Sequence, residues 1–330
     1  MIPPPPALYR RDRLMRALVP VTNAYERLSR RGARRQPPVR AVDRTLRLVV
    51  DEVVHEAADV ISLRLVDPSG APLPLWQPGC HLDVLLPSGR RRQYSLCGDP
   101  ADRRAYRIAV RRIDGGDGGS VEVHATLRKG SSVAVQGPRN AFPFLDVPSY
   151  LFLAGGIGIT PILPMVRAAQ ARGADWRLVY TGRSRASMPF LAELSGDRVV
   201  VRTDDESGVP DPVELLAHAP DRATVYCCGP VPMIDGVRAV LGRRPLHFER
   251  FSPPPVVGGE PFVVRLARTG VTVPVASDRS VLAAVREVLP SVAYSCQQGF
   301  CGTCRVRVLP GEDEMSICRD RGSGLVVLDL

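Results

Sequence analysis

Several common markers are missing from this 330-residue chain. No stretch of eighteen or more apolar residues occurs, so a membrane-spanning helix is not expected. The N-terminus lacks the hydrophobic core of a secretory signal. Its eight cysteines therefore read as reduced cytoplasmic thiols and not as a disulfide framework. Lysine is all but gone: Lys129 stands alone, and the rest of the 44 basic residues are arginines. With abundant Ala and Pro, that bias points to a GC-rich coding sequence and excludes little. No serine–histidine–aspartate set and no pair of carboxylates stands out. His55, His81, His124, His218 and His247 are scattered, which argues against a histidine-held metal. The dinucleotide fingerprint G-x-G-x-x-G is also absent.

The length exceeds that of one ordinary domain, so two or three are expected. Residues 1–40 hold most of the positive charge, +8 of the chain's +10. Within them Leu14, Leu18, Val21, Tyr25 and Leu28 recur at roughly helical spacing, broken at Pro20. This basic, partly helical extension reads either as a solvated element that docks on the body, or as one that touches anionic lipid or an acidic partner. No nucleic-acid module accompanies the arginines, so nucleic acid is not expected as a partner. From 41 to 146 the pattern is alternation: Leu46/Leu48, Ile61/Leu63/Leu65, Leu82/Val84/Leu86, Tyr106–Val110 and Val133–Val135. Short strands parted by Pro and Gly clusters predict a small antiparallel β-barrel. From 147 to 252 strands and helices alternate, which predicts an α/β doubly wound parallel sheet. The strands are Tyr150 onward, Arg177–Tyr180, Val199–Val201 and Thr224–Cys228. The helices lie near 161–172, 213–218 and 233–241. A Pro- and Gly-rich linker spans 253–260. Strands return over 261–330, with one short helix near 280–287.

Chemistry concentrates at the C-terminus. Cys296-x4-Cys301-x2-Cys304, followed by Cys318, has the ligand spacing of a plant-type [2Fe–2S] cluster. Structural zinc usually shows two C-x2-C knuckles, and this chain has one. Cys80, Cys97 and Cys227 fit no such pattern and read as small buried residues. In Arg92-Gln-Tyr-Ser-Leu96 an arginine, an aromatic ring and a hydroxyl offer what a flavin's phosphate, ring face and ring nitrogen need. An ordinary strand with an exposed arginine would read the same. Gly115-Gly-Asp-Gly-Gly-Ser120 leads into a short helix that Ser120 is placed to cap, an anion-binding geometry; a plain hairpin tip is the competing reading. Gly155-Gly-Ile-Gly-Ile-Thr-Pro161 follows a buried strand and opens a helix. Thr160 is placed to cap it, Pro161 suits the first turn, and bare glycines let a pyrophosphate approach. A turn packed for its own sake would look alike. Cys228-Gly229-Pro230 ends another parallel strand, on the edge where such sheets bind ligands.

In this order the motifs resemble the phthalate dioxygenase reductase and vanillate demethylase reductase family, over about residues 41–330. The resemblance implies a barrel binding FMN (alternatively FAD), a nicotinamide domain and a C-terminal ferredoxin of β-grasp type. It implies that Arg92 holds the flavin phosphate with Gly119 and Ser120, that Tyr94 packs on the ring, and that Ser95 and Leu96 adjoin it. Gly155, Gly156, Gly158 and Thr160 would hold the dinucleotide. Cys228, with Gly229 and Pro230, would lie near the reactive nicotinamide carbon. Phe251 would cover the flavin face, with Glu249 beside it. Ser95, Cys228, Glu249 and Phe251 are thus the expected catalytic set, and Cys296, Cys301, Cys304 and Cys318 the expected metal ligands. The implied activity is that of an NADH-dependent reductase passing single electrons to a Rieske-type oxygenase or a cytochrome P450. Arg183 and Arg185, after the second parallel strand, leave NADPH open. The segment between Cys304 and Cys318 is shorter than is usual in the family. The rival readings are a redox-sensing or binding flavoprotein with a non-shuttling cluster, and a flavin dehydrogenase using a small acceptor.

Overall fold

The computed structural model describes residues 44–330, apart from Asp117, 252–255, Ser295, Cys296, Gln298, Phe300 and Cys301, together with Pro20 and Ala24. The basic extension, the linker prolines and two of the expected cluster ligands, Cys296 and Cys301, lie outside the described residues. Thr45–Leu330 forms one compact unit. No helix among the described residues is long and apolar enough to cross a membrane.

The first sheet is antiparallel. Its strands are β1 (Leu46–Ala57), β2 (Val60–Val66), β3 (Cys80–Leu85), β4 (Arg91–Ser95), β5 (Ala105–Arg111) and β6 (Ser132–Asn140), in the order β4-β3-β6-β1-β2-β5. A bridge from Leu96 to Ile108 brings the two edge strands together and closes the barrel. The alternating residues Leu48, Val50, Leu63, Leu65, Leu82 and Val84 point inward and are wholly buried, each worth about 1.5–3 kcal/mol on transfer from water. Helix α1 (Gly119–Thr126) lies between β5 and β6.

The second sheet is parallel: β7 (Ser149–Gly155), β8 (Asp175–Gly182), β9 (Val199–Thr203), β10 (Thr224–Cys228) and β11 (Leu246–Glu249), in the order β11-β10-β7-β8-β9. All seven residues of β7 are buried, as expected of a parallel strand covered on both faces. Helices α2 (Ile159–Ala171), α3 (Pro212–Ala217) and α4 (Val231–Val240) connect these strands. The chain runs from β7 to β8 on one side and returns to β10 on the other, so a crevice opens between the C-terminal ends of β7 and β10.

The third sheet is mixed. It contains β12 (Phe262–Leu266), β13 (Thr272–Val275), β14 (Arg305–Leu309), β15 (Glu314–Ser316) and β16 (Leu325–Leu328), ordered β13-β12-β16-β14-β15, with β12 and β16 parallel. Helix α5 (Val281–Val288) buries Val281, Leu282, Ala284 and Val285, one apolar stripe at helical spacing. Antiparallel barrel, doubly wound α/β sheet and α+β sheet with one helix are the three architectures that the sequence pattern predicts.

Two local expectations fail. Ser120 does not cap α1: Gly118, at φ 82°, is the N-cap, and Ser120 lies inside the helix with its Oγ accepting from the Ile113 N–H at 3.0 Å. Thr160 does not cap α2 either. The helix starts at Ile159, and Thr160 Oγ1 donates to the Ile157 carbonyl at 3.0 Å. At α1 the left-handed Gly118 makes the turn by itself; at α2 a 3-10 turn, Gly156–Gly158, runs directly into the helix, so in both places the hydroxyl is left for another partner. Cys80, Cys97 and Cys227 are buried and free, as read. Burial pushes the Cys97 and Cys227 thiols up to about 12.

Candidate active site

Where the three sheets meet there is a cavity of about 390 Å³. The barrel supplies Arg92, Tyr94 and Ser95 from β4, Arg111 from β5, and Gly116 and Ser120 from the segment entering α1. The parallel sheet supplies Ile157 and Thr160 from the turn between β7 and α2, and Phe251 stands just past β11. Arg286 of α5, Tyr294 and Gln297 form a further wall. Gln297 directly follows Cys296, one of the expected cluster ligands. Among the described residues no carboxylate lines it, whereas Arg91, Arg92, Arg111 and Arg286 do. Such a cavity selects an anionic ligand.

Each predicted contact has a local cause. In β4 the pleat puts Arg92 and Tyr94 on one face. Tyr94 packs against the barrel core. Arg92 runs against the start of α1, where a Cβ on Gly119 would fall 2.3 Å from the guanidinium Nε. Only glycine at 119 lets that arginine lie beside the start of the helix, where backbone N–H groups have no partner within the helix. Leu96 does not join this site: it is fully buried in the barrel core, and its backbone closes the barrel. Phe251 is half exposed at the mouth.

Ser95 links the barrel to the parallel sheet. Its Oγ donates to Glu249 Oε2 at 3.4 Å, across 154 residues of chain. Glu249 is 9% exposed, and burial raises its carboxyl to about 8, so it holds a proton at neutral pH. Glu249 sits opposite Cys228 in the pairing of β10 with β11. Burial first, then the Glu249 charge, push the Cys228 thiol well above its ordinary value. Cys228 is thus a neutral S–H group, not a nucleophile.

The glycines divide by purpose. A Cβ on Gly158 would lie 2.2 Å from the Cys228 carbonyl oxygen, and one on Gly155 would lie 2.5 Å from Pro230 Cδ. The Gly155–Gly158 turn and the Cys228-Gly229-Pro230 turn therefore pack backbone to backbone across the crevice. Packing explains these two glycines fully. Gly156 differs: its φ is +54°, and a Cβ there would stand 3.0 Å from Arg111 Nη1. Tyr180 Oη fixes the turn by donating to the Gly156 carbonyl at 3.1 Å. Arg111 is a residue that the sequence reading missed. Burial, then the Arg183 charge, lower its pKa, and its Nη2 donates to the Ser187 carbonyl. Nothing in the strand Ala105–Arg111 marks it; only the fold brings it to the glycine turn.

Cys304 and Cys318 are buried and adjacent, with Sγ atoms 2.9 Å apart. The hydrogen bond between them brings the Cys304 thiol down to about 6, against the opposing effect of burial. Two converging soft donors of thiolate character suit iron. The fourteen-residue step from Cys304 to Cys318 closes through β14 and β15, an antiparallel hairpin, so the short segment suffices to bring these two sulfurs together.

Comparisons with known proteins agree with this geometry. A family model described as a 2Fe-2S iron-sulfur cluster binding domain matches residues 264–323. Over 275 residues the chain is 41% identical to phenoxybenzoate dioxygenase subunit beta of Ectopseudomonas oleovorans, covering 80% of this chain and 85% of that one. It is 37% identical over 302 residues to phthalate dioxygenase reductase of Burkholderia cepacia, covering 87% and 94%. A solved phthalate dioxygenase reductase, a modular structure for electron transfer from pyridine nucleotides to [2Fe-2S], matches with a TM-score of 0.70 at 36% identity, over 87% of this chain and 98% of that one. An intact type IV self-sufficient cytochrome P450 monooxygenase matches with a TM-score of 0.69 at 35% identity, over 90% of this chain and 43% of that one. With a buried thiol pair in the C-terminal sheet region, a cationic cavity and a crevice between β7 and β10, this chain belongs to the phthalate dioxygenase reductase family of oxygenase reductases.

Proposed function

We propose that this protein takes electron pairs from NADH and delivers them singly to a separate oxygenase component, using FMN and a [2Fe–2S] cluster. The observation that carries this reading is the shared cavity. One space is bounded by the flavin-type motif of β4, by the glycine turn after β7, and by Gln297 next to Cys296. When bound, the flavin and cluster supply the conversion between two-electron and one-electron chemistry, which side chains cannot perform.

The chain's own residues bind, orient and insulate. Arg92 and Ser120, with the Gly119 backbone, hold the flavin phosphate. Tyr94 supports the ring, and Ser95 presents its hydroxyl to it. Glu249 keeps a neutral, proton-holding end on Ser95, so no fixed negative charge opposes an incoming hydride donor. Gly156, Thr160 and Arg111 receive the dinucleotide's phosphates, and the neutral Cys228 thiol lies at the crevice floor with Gly155, Gly158, Gly229 and Pro230 shaping it. Phe251 shields the mouth. Cys296, Cys301, Cys304 and Cys318 hold the cluster. Residues 41–146, 147–252 and 261–330 act as flavin, nicotinamide and cluster modules, joined by the 253–260 linker. The buried thiols of Cys80, Cys97 and Cys227 suit a reducing cytoplasm.

NADH is favoured over NADPH by charge. Arg185 is engaged by Glu206 at 3.2 Å, and Asp204, Asp205 and Glu206 form one acidic turn that repels a 2′-phosphate. FMN is chosen over FAD on the motif resemblance given above. Comparing kcat/KM for NADH and NADPH checks the first assignment, and mass spectrometry of released flavin checks the second. The function itself is tested with Cys318→Ser. This variant should lose NADH-driven cytochrome c reduction and keep ferricyanide reduction. Equal cytochrome c rates in variant and wild type would refute a shuttle through the cluster.

A further inference from the structure

The flavin-type cavity is not built by the barrel alone. Arg286 and Tyr294, from the C-terminal sheet region, form part of its wall. The Arg286 guanidinium carbon lies 4.2 Å from the centre of the Tyr294 ring. Tyr294 Oη donates to the Arg91 carbonyl at 3.4 Å, one residue from Arg92. The ring therefore stands between β4 and α5 and fixes where the guanidinium can go. Among the described residues, Arg286 Nε is buried with no hydrogen-bond partner. Arg279, just ahead of α5, behaves as a surface arginine should, pairing with Glu287 at 2.6 Å.

A guanidinium stacked on a ring, with a buried donor unspent, costs free energy until an acceptor arrives. The cavity offers no anionic acceptor of its own among the described residues: its charged lining is Arg91, Arg92, Arg111 and Arg286. Like charges around one space repel, and an anion placed among them reverses the sign of that interaction. The counter-charge that this lining calls for is therefore a ligand's.

We propose that Arg286 is a flavin-binding residue contributed by the cluster region, held by Tyr294 and directed at an anionic atom of the bound flavin. The inference rests on the reading of this cavity as the flavin site. Two parts of the flavin carry such charge, the phosphate and the ring edge that turns negative on reduction. In either case the site is complete only when the cluster region is docked on the barrel. Linkage then makes bound flavin tighten that docking by the same factor, which keeps Gln297 against the cavity.

The test uses the full chain, stripped of flavin, with the cluster's visible absorbance confirming that the C-terminal region is intact. Affinities for FMN and riboflavin are measured by flavin fluorescence quenching for wild type, Arg286→Ala, Arg286→Lys and the surface variant Arg268→Ala. Arg286→Ala should weaken FMN binding about tenfold or more, the scale of one charge-assisted hydrogen bond. Arg286→Lys should recover part of the loss, and Arg268→Ala should lose nothing. A loss confined to FMN assigns the contact to the phosphate. An equal loss for riboflavin, with a more negative flavin potential, assigns it to the ring. Unchanged FMN affinity in Arg286→Ala overturns the inference while leaving the flavin site standing. A wild-type chain that takes up no flavin overturns the cavity's assignment, and this inference with it.

Discussion

Glu249 illustrates how one buried group sets a pH response. Its carboxyl titrates near 8 in the folded chain, against 4.5 ordinarily. Between those values the folded chain keeps a proton that the unfolded chain has released. Stability therefore falls as pH rises from about 4.5 to about 8, and the loss is complete above that window. Its full size is on the order of 4 kcal/mol. Glu249→Gln keeps the shape and removes the titration. Its denaturation midpoint should exceed that of wild type by a margin that grows across this window, and parallel pH profiles would refute the assignment. The glycine turns give a second expectation at this scale. Gly158→Ala drives a methyl into the Cys228 carbonyl and should cost about 1–3 kcal/mol by overpacking. Gly115 has open space around it, so Gly115→Ala should shift stability by less than about 0.5 kcal/mol in the same urea titration.

Among the elements, strands were the most legible. Alternation marked Leu82 and Val84 as barrel interior, and the continuous apolar run from Tyr150 marked a strand buried on both faces. Helix starts were less legible. The helix expected near 280–287 is α5, and Ser280, not read as a cap from the sequence, caps it, its hydroxyl accepting from the Ala283 N–H at 3.2 Å. Ser120 and Thr160, which were read as caps, do not cap. Gly118, in the left-handed region at φ 82°, forms the start of α1 through backbone geometry, which a side-chain rule cannot register. β11 was also missed as a strand, because four residues beside an arginine-rich turn show no clear period. Ser280→Ala should destabilise the C-terminal sheet region by about 1 kcal/mol, visible as an earlier loss of the cluster's visible absorbance on heating. An unchanged transition would show that the cap contributes nothing there.

At the scale of the whole molecule, motifs told which chemistry is present but not how it is assembled. Arg92, Tyr94 and Ser95 could be nominated from β4 alone, and the cysteine spacing nominated the cluster ligands. Arg111, Arg286 and Tyr294 could not be, since each reaches the cavity only through tertiary contacts; Tyr294 and Arg91 are 203 residues apart. The central claim is that a cluster near the C-terminus draws its electrons from a flavin lodged between the three sheets. The most direct measurement is iron and acid-labile sulfide content of anaerobically prepared chain, followed by visible and paramagnetic resonance spectra after adding NADH. The account predicts about two irons and two sulfides per chain, with the cluster signal reduced by NADH only while flavin is bound. Zinc in place of iron, or a cluster that NADH leaves oxidised in flavin-replete protein, would contradict it.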